Sequence, residues 1–348
     1  MSLNVVLLPG DGIGPEVTEA AVKVLEAACA AEGIALHTES HDFGGIAIDR
    51  HGDPLPAGTL DACLSADAIF LGAVGGPKWD MTPIRPEQGL LRIRKELNVF
   101  ANLRPLKLLD CLAEMSPLKS DRVRGTDILI VRELTGGLYF GDREEGLERA
   151  TDSLVYTDAE VERVTRIAFE AAKGRSGRLT SVDKANVLAS SRLWRSTVNR
   201  IAKDYPEVAV DHVLVDAMAM HLIQRPSRFD VVVTENLFGD ILSDEASVIA
   251  GSIGLLGSAS LGEGTRGLYE PIHGSAPDIA GKGKANPIGA IMSMAMLLRF
   301  SAGAPDAADR IEAAAEAVIR DHVRTSDLGG TSSTQQVADA VVEKLMAA

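Results

Sequence analysis

The sequence predicts an α/β protein built on a largely parallel sheet. Short apolar runs of strand length alternate with longer amphipathic stretches along most of the chain, a pattern typical of strands joined by helices. The chain has 348 residues, of which 46% are hydrophobic and 24% are charged. That composition supports a sizeable core, and the length suggests about two domains or lobes.

The positions of these runs predict the order of the elements. Strands are predicted at residues 4–8, 34–39, 68–73, 127–132, 178–182, 208–215 and 229–234. Helices are predicted at residues 15–31, 61–65, 158–173, 190–204, 237–249, 287–300, 307–323 and 335–346. Pro15 suits the first turn of its helix, because the N–H that proline lacks is not needed there.

Two stretches interrupt this alternation. Residues 136–156 are aromatic and mixed in charge, and turn signals near Gly141 and Gly146 predict an antiparallel hairpin arm. An arm outside a parallel sheet needs something to cover it, which favours a second subunit as its partner. Residues 251–267 are rich in glycine, and we expect a flexible loop that joins two lobes.

Charge, hydropathy and cysteine content exclude several classes of protein. The net charge of −14 argues against nucleic acid or an anionic membrane surface as the main partner. The longest nearly apolar stretch, residues 289–298, is far shorter than the roughly 20 residues that span a bilayer. The N-terminus lacks the basic leader of a signal peptide. Cys29, Cys63 and Cys111 are scattered and are expected to be reduced, mostly buried thiols of a cytoplasmic protein.

A glycine-rich turn follows the first predicted strand. Gly10, Gly12 and Gly14 have the spacing GxGxG rather than the GxGxxG of dinucleotide-binding turns, and Pro15 follows at once. A dinucleotide-binding turn and a phosphate loop both stay open, but a tight strand-to-helix turn is the favoured interpretation. No lysine follows to contact a phosphate, which excludes a Walker loop.

The most informative segment is acidic. Asp216 closes the predicted strand 208–215, while Asp240 and Asp244 lie four residues apart on one face of the next predicted helix. Two carboxylates at that spacing repel each other unless a cation lies between them. Mg²⁺ and Mn²⁺ take carboxylate oxygens and keep positions open for a substrate. A solvated acidic face is the alternative, but the helix is otherwise apolar, so we favour a metal site.

A second set of candidate residues is basic. Arg94 lies on a predicted helix, Arg104 lies on an extended segment, and Arg132 ends an apolar strand. Arginine forks bind carboxylates through paired hydrogen bonds, so these residues suit a dicarboxylate or tricarboxylate. Ordinary surface ion pairs are the alternative, and they fit Arg132 badly because the run before it is wholly apolar.

Tyr139, Lys184 and the loop 273–287 carry no assignable chemistry by themselves. The loop is rich in small residues, so its backbone could approach a ligand closely, although a plain connection is the alternative. A carboxylate at Asp278 could accept hydrogen bonds from ribose hydroxyls and would disfavour a 2′-phosphate.

Motifs spread over essentially the whole chain carry a resemblance to a known family. They are GDGIGPE, ANLRP, ELTGGLYFG, DKAN, NLFGDILSDEASVIAGSIGL and HGSAPDIAGKGKANP. These motifs resemble those of the isocitrate and isopropylmalate dehydrogenases. The resemblance implies a two-lobe α/β fold with parallel-rich sheets flanked by helices and a protruding β-arm, which is not a usual Rossmann fold. It implies a cofactor-binding terminal lobe of residues 1–98 and 248–348, and a central dimerisation and metal- and substrate-binding lobe of residues 99–247.

The resemblance also implies roles for single residues in a homodimer with shared active sites. Arg94, Arg104 and Arg132 would hold the two substrate carboxylates, and the partner's Asp216 would also contact the substrate. The metal, Mg²⁺ or Mn²⁺, would be bound by Asp240, Asp244 and the partner's Asp216, while Tyr139 and the partner's Lys184 would handle protons. The residues that would contact NAD are Gly75, Gly76, Pro77, Lys78, Glu87, Gly274, Ser275, Ala276, Pro277, Asp278 and Asn286.

The activity that the resemblance implies is oxidative decarboxylation of 3-isopropylmalate to 4-methyl-2-oxopentanoate and CO₂ in leucine biosynthesis. Leu90, Leu91 and the partner's Val187 would form an apolar pocket that suits an isopropyl group and would leave a third carboxylate unpaired at a cost. Isocitrate, homoisocitrate and tartrate are thereby disfavoured as substrates. They stay open as alternatives, as does a non-catalytic regulatory subunit of the same fold.

Overall fold

The computed structural model describes residues 2–347. The strands are β1 (Ser2–Gly10), β2 (Ala35–Ser40), β3 (Ala68–Ala73), β4 (Ala101–Lys107), β5 (Asp127–Glu133), β6 (Arg143–Glu144), β7 (Thr151–Asp152), β8 (Arg178–Asp183), β9 (Ala209–Leu214), β10 (Val231–Thr234), β11 (Gly257–Leu261) and β12 (Gly267–Pro271). The helices are α1 (Gly14–Glu32), α2 (Gly45–His51), α3 (Ala57–Ser65), α4 (Pro86–Glu96), α5 (Ser120–Val123), α6 (Asp158–Lys173), α7 (Ala189–Ile201), α8 (Val215–Gln224), α9 (Asn236–Ile249), α10 (Ile288–Phe300), α11 (Pro305–Arg320) and α12 (Thr334–Ala347). This content confirms the predicted α/β class.

The chain divides into two compact units. The terminal unit comprises Met1–Val99 and Ser252–Ala348, and the central unit comprises Phe100–Gly251. The sequence prediction placed the second boundary at residue 247, which lies inside α9, whereas the observed boundary keeps that helix whole.

In the terminal unit the strands follow the order β2-β1-β3-β12-β11. All neighbours in this order are parallel except β11 and β12, which are antiparallel. The helix α1 is packed against α10 and α12. It buries Val17, Val24 and Leu25 and ends at Gly33, whose left-handed conformation suits glycine at a helix C-terminus.

In the central unit the strands follow the order β4-β5-β10-β8-β9, and only β4 runs antiparallel to its neighbour among these described strands. The helix α6 lies against β5 and β10. Its N-terminus is fixed by a capping box, in which the Thr157 hydroxyl accepts from the Glu160 backbone N–H and the Glu160 carboxylate accepts from the Thr157 backbone. These parallel strands end at one edge, where polar residues follow β5, β8 and β10.

Two sequence expectations need correction. The glycine-dense stretch is not a flexible loop, because it contains β11, which is buried and pairs with β12. A Cβ on Gly257 would lie 2.7 Å from the Ser293 backbone nitrogen of α10, so close packing explains that glycine. Asp216 does not close a strand but lies in the first turn of α8, a helix that the sequence reasoning missed. Cys29 and Cys63 are buried and Cys111 is exposed, so the prediction of mostly buried thiols is confirmed.

The hairpin arm is present as predicted. β6 and β7 pair antiparallel, with Arg143 opposite Asp152 and Glu144 opposite Thr151. Leu147 lies fully exposed at its tip. Within residues 2–347, no helix combines the length and the hydropathy that crossing a membrane requires.

Candidate active site

Arg132 is the buried centre of a polar cluster in the central unit. It lies near the end of β5, with only 2% of its surface exposed. Its Nη1 donates to Asp240 Oδ1 at 2.5 Å, and its Nε and Nη2 donate to Asn236 Oδ1 at 3.0 and 2.7 Å. Both acceptors come from the first turns of α9, so the strand and the helix together fix the guanidinium.

Arg104 reaches the same face of α9 from the neighbouring strand β4. Its Nη1 donates to Ser243 Oγ at 2.7 Å and lies 3.5 Å from Asp244 Oδ1. Its Nη2 lies 3.8 Å from Asp240 Oδ1. Its Nε donates to Asn102 Oδ1 at 2.6 Å, and Asn102 points the same way because it is two residues earlier on the strand.

Tyr139 joins this cluster through Asp240. It ends a short 3-10 turn, Gly137–Tyr139, and its hydroxyl donates to Asp240 Oδ2 at 2.8 Å. The Arg132 guanidinium lies 5.8 Å from the centre of the tyrosine ring. Burial and the Asp240 carboxylate together raise the pKa of Tyr139 to about 12. The residue is therefore a proton donor at neutral pH rather than a phenolate.

Lys184 and Asp216 form a separate pair in the central unit. Lys184 follows β8 and donates through Nζ to Asp216 Oδ1 at 2.6 Å. This hydrogen bond lowers the pKa of Asp216. Among residues 2–347, no three His, Cys, Asp or Glu side chains are grouped closely enough to hold a metal, so Asp216 does not join Asp240 and Asp244 within one chain. The predicted pocket residue Val187 is exposed beside Lys184.

In the terminal unit, Arg94 is buried on α4. Its Nη2 donates to Glu270 Oε1 of β12 at 2.8 Å. Its Nε is buried without a hydrogen-bond partner in the described part of the chain, so this N–H is available to a ligand. Leu90 and Leu91, on the same helix, are half-buried.

The glycine-rich turn after β1 is a tight structural turn, as the sequence favoured. Gly12 has a positive φ of 57°, and a Cβ there would lie 2.0 Å from the Ser275 carbonyl oxygen. The buried Asp11 carboxylate accepts hydrogen bonds from the backbone N–H groups of Gly45, Ile46 and Gly75 at 2.8 to 2.9 Å. The structure thus brings Gly75 and Ser275, two predicted cofactor contacts, beside one turn.

The other predicted cofactor residues differ in their burial and in their hydrogen-bond partners. Gly75 leaves no room for a side chain, since a Cβ would lie 2.7 Å from Glu87 Oε1. Asn286 is buried, and its amide is engaged by Asp327 and by the Ile288 backbone. Lys78 pairs with Asp49. The predicted contacts that are exposed or only partly buried are Gly76, Pro77, Lys78, Glu87, Gly274, Ala276, Pro277 and Asp278.

Sequence reasoning missed several residues of these clusters. Asn236, Asn102 and Ser243 hold the two arginines of the central unit, and Asp11 and Glu270 have comparable positions in the terminal unit. Their signal was weak, because a polar residue near a motif gives no hint of its partner. The spacing of Asn102 and Arg104 on one strand face could have predicted that contact.

The fold and these polar clusters define a class of protein. Polar residues gather at the carboxyl ends of parallel strands, where α/β enzymes bind small molecules. The strand order of each unit differs from the 3-2-1-4-5-6 order of the usual Rossmann fold, so the prediction of a different α/β fold is confirmed.

Comparison with known proteins gives the family. The sequence pattern of the isocitrate/isopropylmalate dehydrogenases matches residues 4–341. The 3-isopropylmalate dehydrogenases of Rhodopirellula baltica and Anaeromyxobacter dehalogenans are 58% and 56% identical to this chain. Each alignment covers 99% of the chain, and 99% and 100% of the respective relative. Isocitrate dehydrogenase from Methylococcus capsulatus is 39% identical, with a TM-score of 0.88 over 99% of both chains.

The chain therefore belongs to the isocitrate/isopropylmalate dehydrogenase family. It is an oxidoreductase, and its fold is the one that the sequence motifs predicted.

Proposed function

We propose that this enzyme oxidises and decarboxylates 3-isopropylmalate to 4-methyl-2-oxopentanoate and CO₂ in leucine biosynthesis, with NAD and a divalent metal. The observation that carries the proposal is the cluster in which Arg104 and Arg132 face Asp240 and Asp244, with Tyr139 bonded to Asp240. Full-length identity of 56–58% to relatives named 3-isopropylmalate dehydrogenase supports this substrate over isocitrate.

The arginines suit a substrate with two carboxylates. Arg104 and Arg132 are each at least 90% buried, and a buried guanidinium binds a carboxylate strongly because water does not compete. Arg94 stays a predicted third contact, supported by its buried and unpartnered Nε. Leu90, Leu91 and the partner's Val187 stay predicted contacts of the isopropyl group.

The carboxylates suit a hard dication. Asp240 and Asp244 lie one turn apart on α9 and offer the oxygen donors that Mg²⁺ and Mn²⁺ prefer. The guanidinium groups of Arg104 and Arg132 balance the negative charge of these two carboxylates, as a bound cation would. We propose the partner's Asp216 as the third ligand. A bound dication would supply Lewis acidity toward the substrate hydroxyl and the enolate left by loss of CO₂.

The chain's own residues move the protons. The pair of Lys184 and Asp216 is proposed to take the hydroxyl proton of the substrate bound by the partner, with Lys184 accepting that proton in its neutral form. Tyr139 keeps its proton at neutral pH and is proposed to donate it to the carbon that has lost CO₂. Bound NAD would supply the hydride acceptor for the oxidation.

The terminal unit fits a dinucleotide. At Gly12 and Gly75 the space of a Cβ is taken by the Ser275 carbonyl oxygen and the Glu87 carboxylate, so the turn packs closely against two predicted cofactor contacts. His273 lies at the start of the predicted cofactor loop, and its Nε2 is buried without a partner among residues 2–347. Such an orphaned polar atom is usually satisfied by a ligand or water.

Apolar surface supports a homodimer. Met220 and Ile223 on α8, and Ile241 and Val248 on α9, are exposed although the two helices pack together. A large exposed apolar patch marks an interaction surface. We propose that it joins two copies of the chain, and that the hairpin arm reaches across to the partner.

We also propose that the enzyme is cytoplasmic.

The test is NADH formation by purified protein stripped of metal with EDTA. We expect no activity until Mn²⁺ or Mg²⁺ is restored, and then faster turnover of isopropylmalate than of isocitrate, homoisocitrate or tartrate. Preference for another of these acids would refute the substrate. Failure with all of them at saturating metal would point to a regulatory subunit.

A further inference from the structure

Asn236 connects the parts of the central cluster that the proposed function uses. It is the first residue of α9, and only 1% of its surface is exposed. Its side-chain oxygen accepts two hydrogen bonds from Arg132, and its side-chain nitrogen donates to the Gly136 carbonyl at 3.1 Å. Gly136 immediately precedes the turn that carries Tyr139.

The backbone of Asn236 is fixed as well. Its N–H donates to the Tyr156 hydroxyl at 3.0 Å, and that hydroxyl donates to Glu133 Oε2 at 3.1 Å. Glu133 is the residue after Arg132 and is fully buried. The side chain and the backbone of Asn236 are therefore both anchored to the segment between Arg132 and Tyr139, the backbone through Tyr156.

We propose that Asn236 is the positioning residue that sets the orientation of Arg132 for the substrate carboxylate. The inference rests on the proposed function for the identity of that carboxylate. A neutral amide oxygen holds Nε and Nη2 in place without cancelling the guanidinium charge, which Asp240 already shares. An aspartate at this position would hold the same nitrogens but would add a competing negative charge beside an anion-binding group.

The same amide couples Arg132 to Tyr139. Because its nitrogen donates to Gly136, a shift of the Asn236 side chain moves the start of the Gly137–Tyr139 turn as well as the arginine. The sequence prediction began this helix at residue 237 and gave Asn236 no role, since neither of its partners is near it in the chain.

The experiment compares Asn236→Ala and the isosteric Asn236→Asp with Val198→Ala. Val198 is fully buried in α7, so its truncation matches the loss of packing without contacting the cluster. The readouts are KM for isopropylmalate and for NAD, the melting temperature, and the NMR signal of the Arg132 Nε–H, assigned with Arg132→Lys.

Both Asn236 variants should raise KM for isopropylmalate about tenfold or more and leave KM for NAD unchanged. Asn236→Ala loses its hydrogen bonds to a charged group, and Asn236→Asp places a competing negative charge beside that group. Asn236→Ala should also release the Arg132 Nε–H signal into fast exchange with water. Val198→Ala should lower the melting temperature and change neither KM.

Wild-type KM and an unchanged Arg132 signal in both Asn236 variants would overturn the inference. If the wild-type protein fails to turn over isopropylmalate, the proposed function is wrong, and the NMR signal alone decides whether Asn236 positions Arg132.

Discussion

Tyr139 and Asp240 share a hydrogen bond of 2.8 Å, in which the phenol donates to a carboxylate that Arg132 also holds. The tyrosine is therefore aimed at the same carboxylate that is proposed to bind the metal. Its pKa of about 12 keeps the proton on the phenol through the working pH range of most enzymes.

Tyr139→Phe should slow protonation after loss of CO₂ more than it slows hydride transfer. The loss of a general acid costs on the order of 100-fold in the step that it serves. Stopped-flow kinetics should show a nearly normal first turnover of NADH with slow release of the keto acid. An equal fall in both phases would contradict the role given to Tyr139.

The features that the sequence predicted best have either a periodic pattern or a rare combination of residue types. β3 and α6 were predicted with the observed bounds, because a short buried run and a capped amphipathic helix have clear patterns. The four-residue spacing of Asp240 and Asp244 predicted a shared helix face, and the structure has both on α9.

The missed features depend on tertiary packing. The glycines of β11 looked like loop residues because their close approach to α10 is not visible in the sequence. The bond between Asn236 and Arg132 joins residues 104 positions apart. Local patterns carry no information about such pairs, which is why the side-chain network had to come from the structure.

Glu235 should make stability depend on pH. It is only 5% exposed, and burial, with a contribution from Glu133, raises its pKa from 4.5 to about 7. The folded state therefore binds this proton more tightly than the unfolded state does. The protonated carboxyl group contributes its full stability below pH 4.5. As the pH rises to about 7, this contribution to the free energy of unfolding is lost, by about 3 kcal/mol in total.

Glu235→Gln should remove this loss. The free energy of unfolding of the variant should therefore exceed that of the wild type, and the difference should be larger at pH 8 than at pH 5. Urea unfolding at the two pH values measures the difference. Glu26→Gln, an exposed glutamate of α1, serves as the control and should follow the wild-type profile. Parallel profiles for wild type and Glu235→Gln would count against a buried proton.

Met220→Asp should break the proposed dimer. Met220 is 56% exposed on α8, and a charge at an apolar interface is costly to bury. Sedimentation should show monomers, and activity should fall with them if the partner supplies Lys184. The matched control is Met346→Asp, since Met346 is 61% exposed and belongs to the terminal unit rather than to this patch. Dissociation by both variants, or by neither, would rule out α8 as the interface.

Asp11→Ala should lower stability and weaken the binding of NAD. The substitution leaves the N–H groups of Gly45, Ile46 and Gly75 without their acceptor, which costs roughly 3 kcal/mol or more in the free energy of unfolding. Because Gly75 is a predicted cofactor contact, KM for NAD should rise more than KM for isopropylmalate. Asp61→Ala, an exposed aspartate of α3, should change neither. A selective rise in the isopropylmalate KM would be the opposite of this expectation.

Mixed dimers of Lys184→Ala and Asp240→Asn show whether two chains share their active sites. Each variant alone should be nearly inactive. If Lys184 serves the Asp240 site of the partner, every mixed dimer has one complete site, and random mixing restores about a quarter of wild-type activity. If both residues serve the same chain, no mixed dimer has a complete site, and activity that stays at the level of the separate variants would contradict the account.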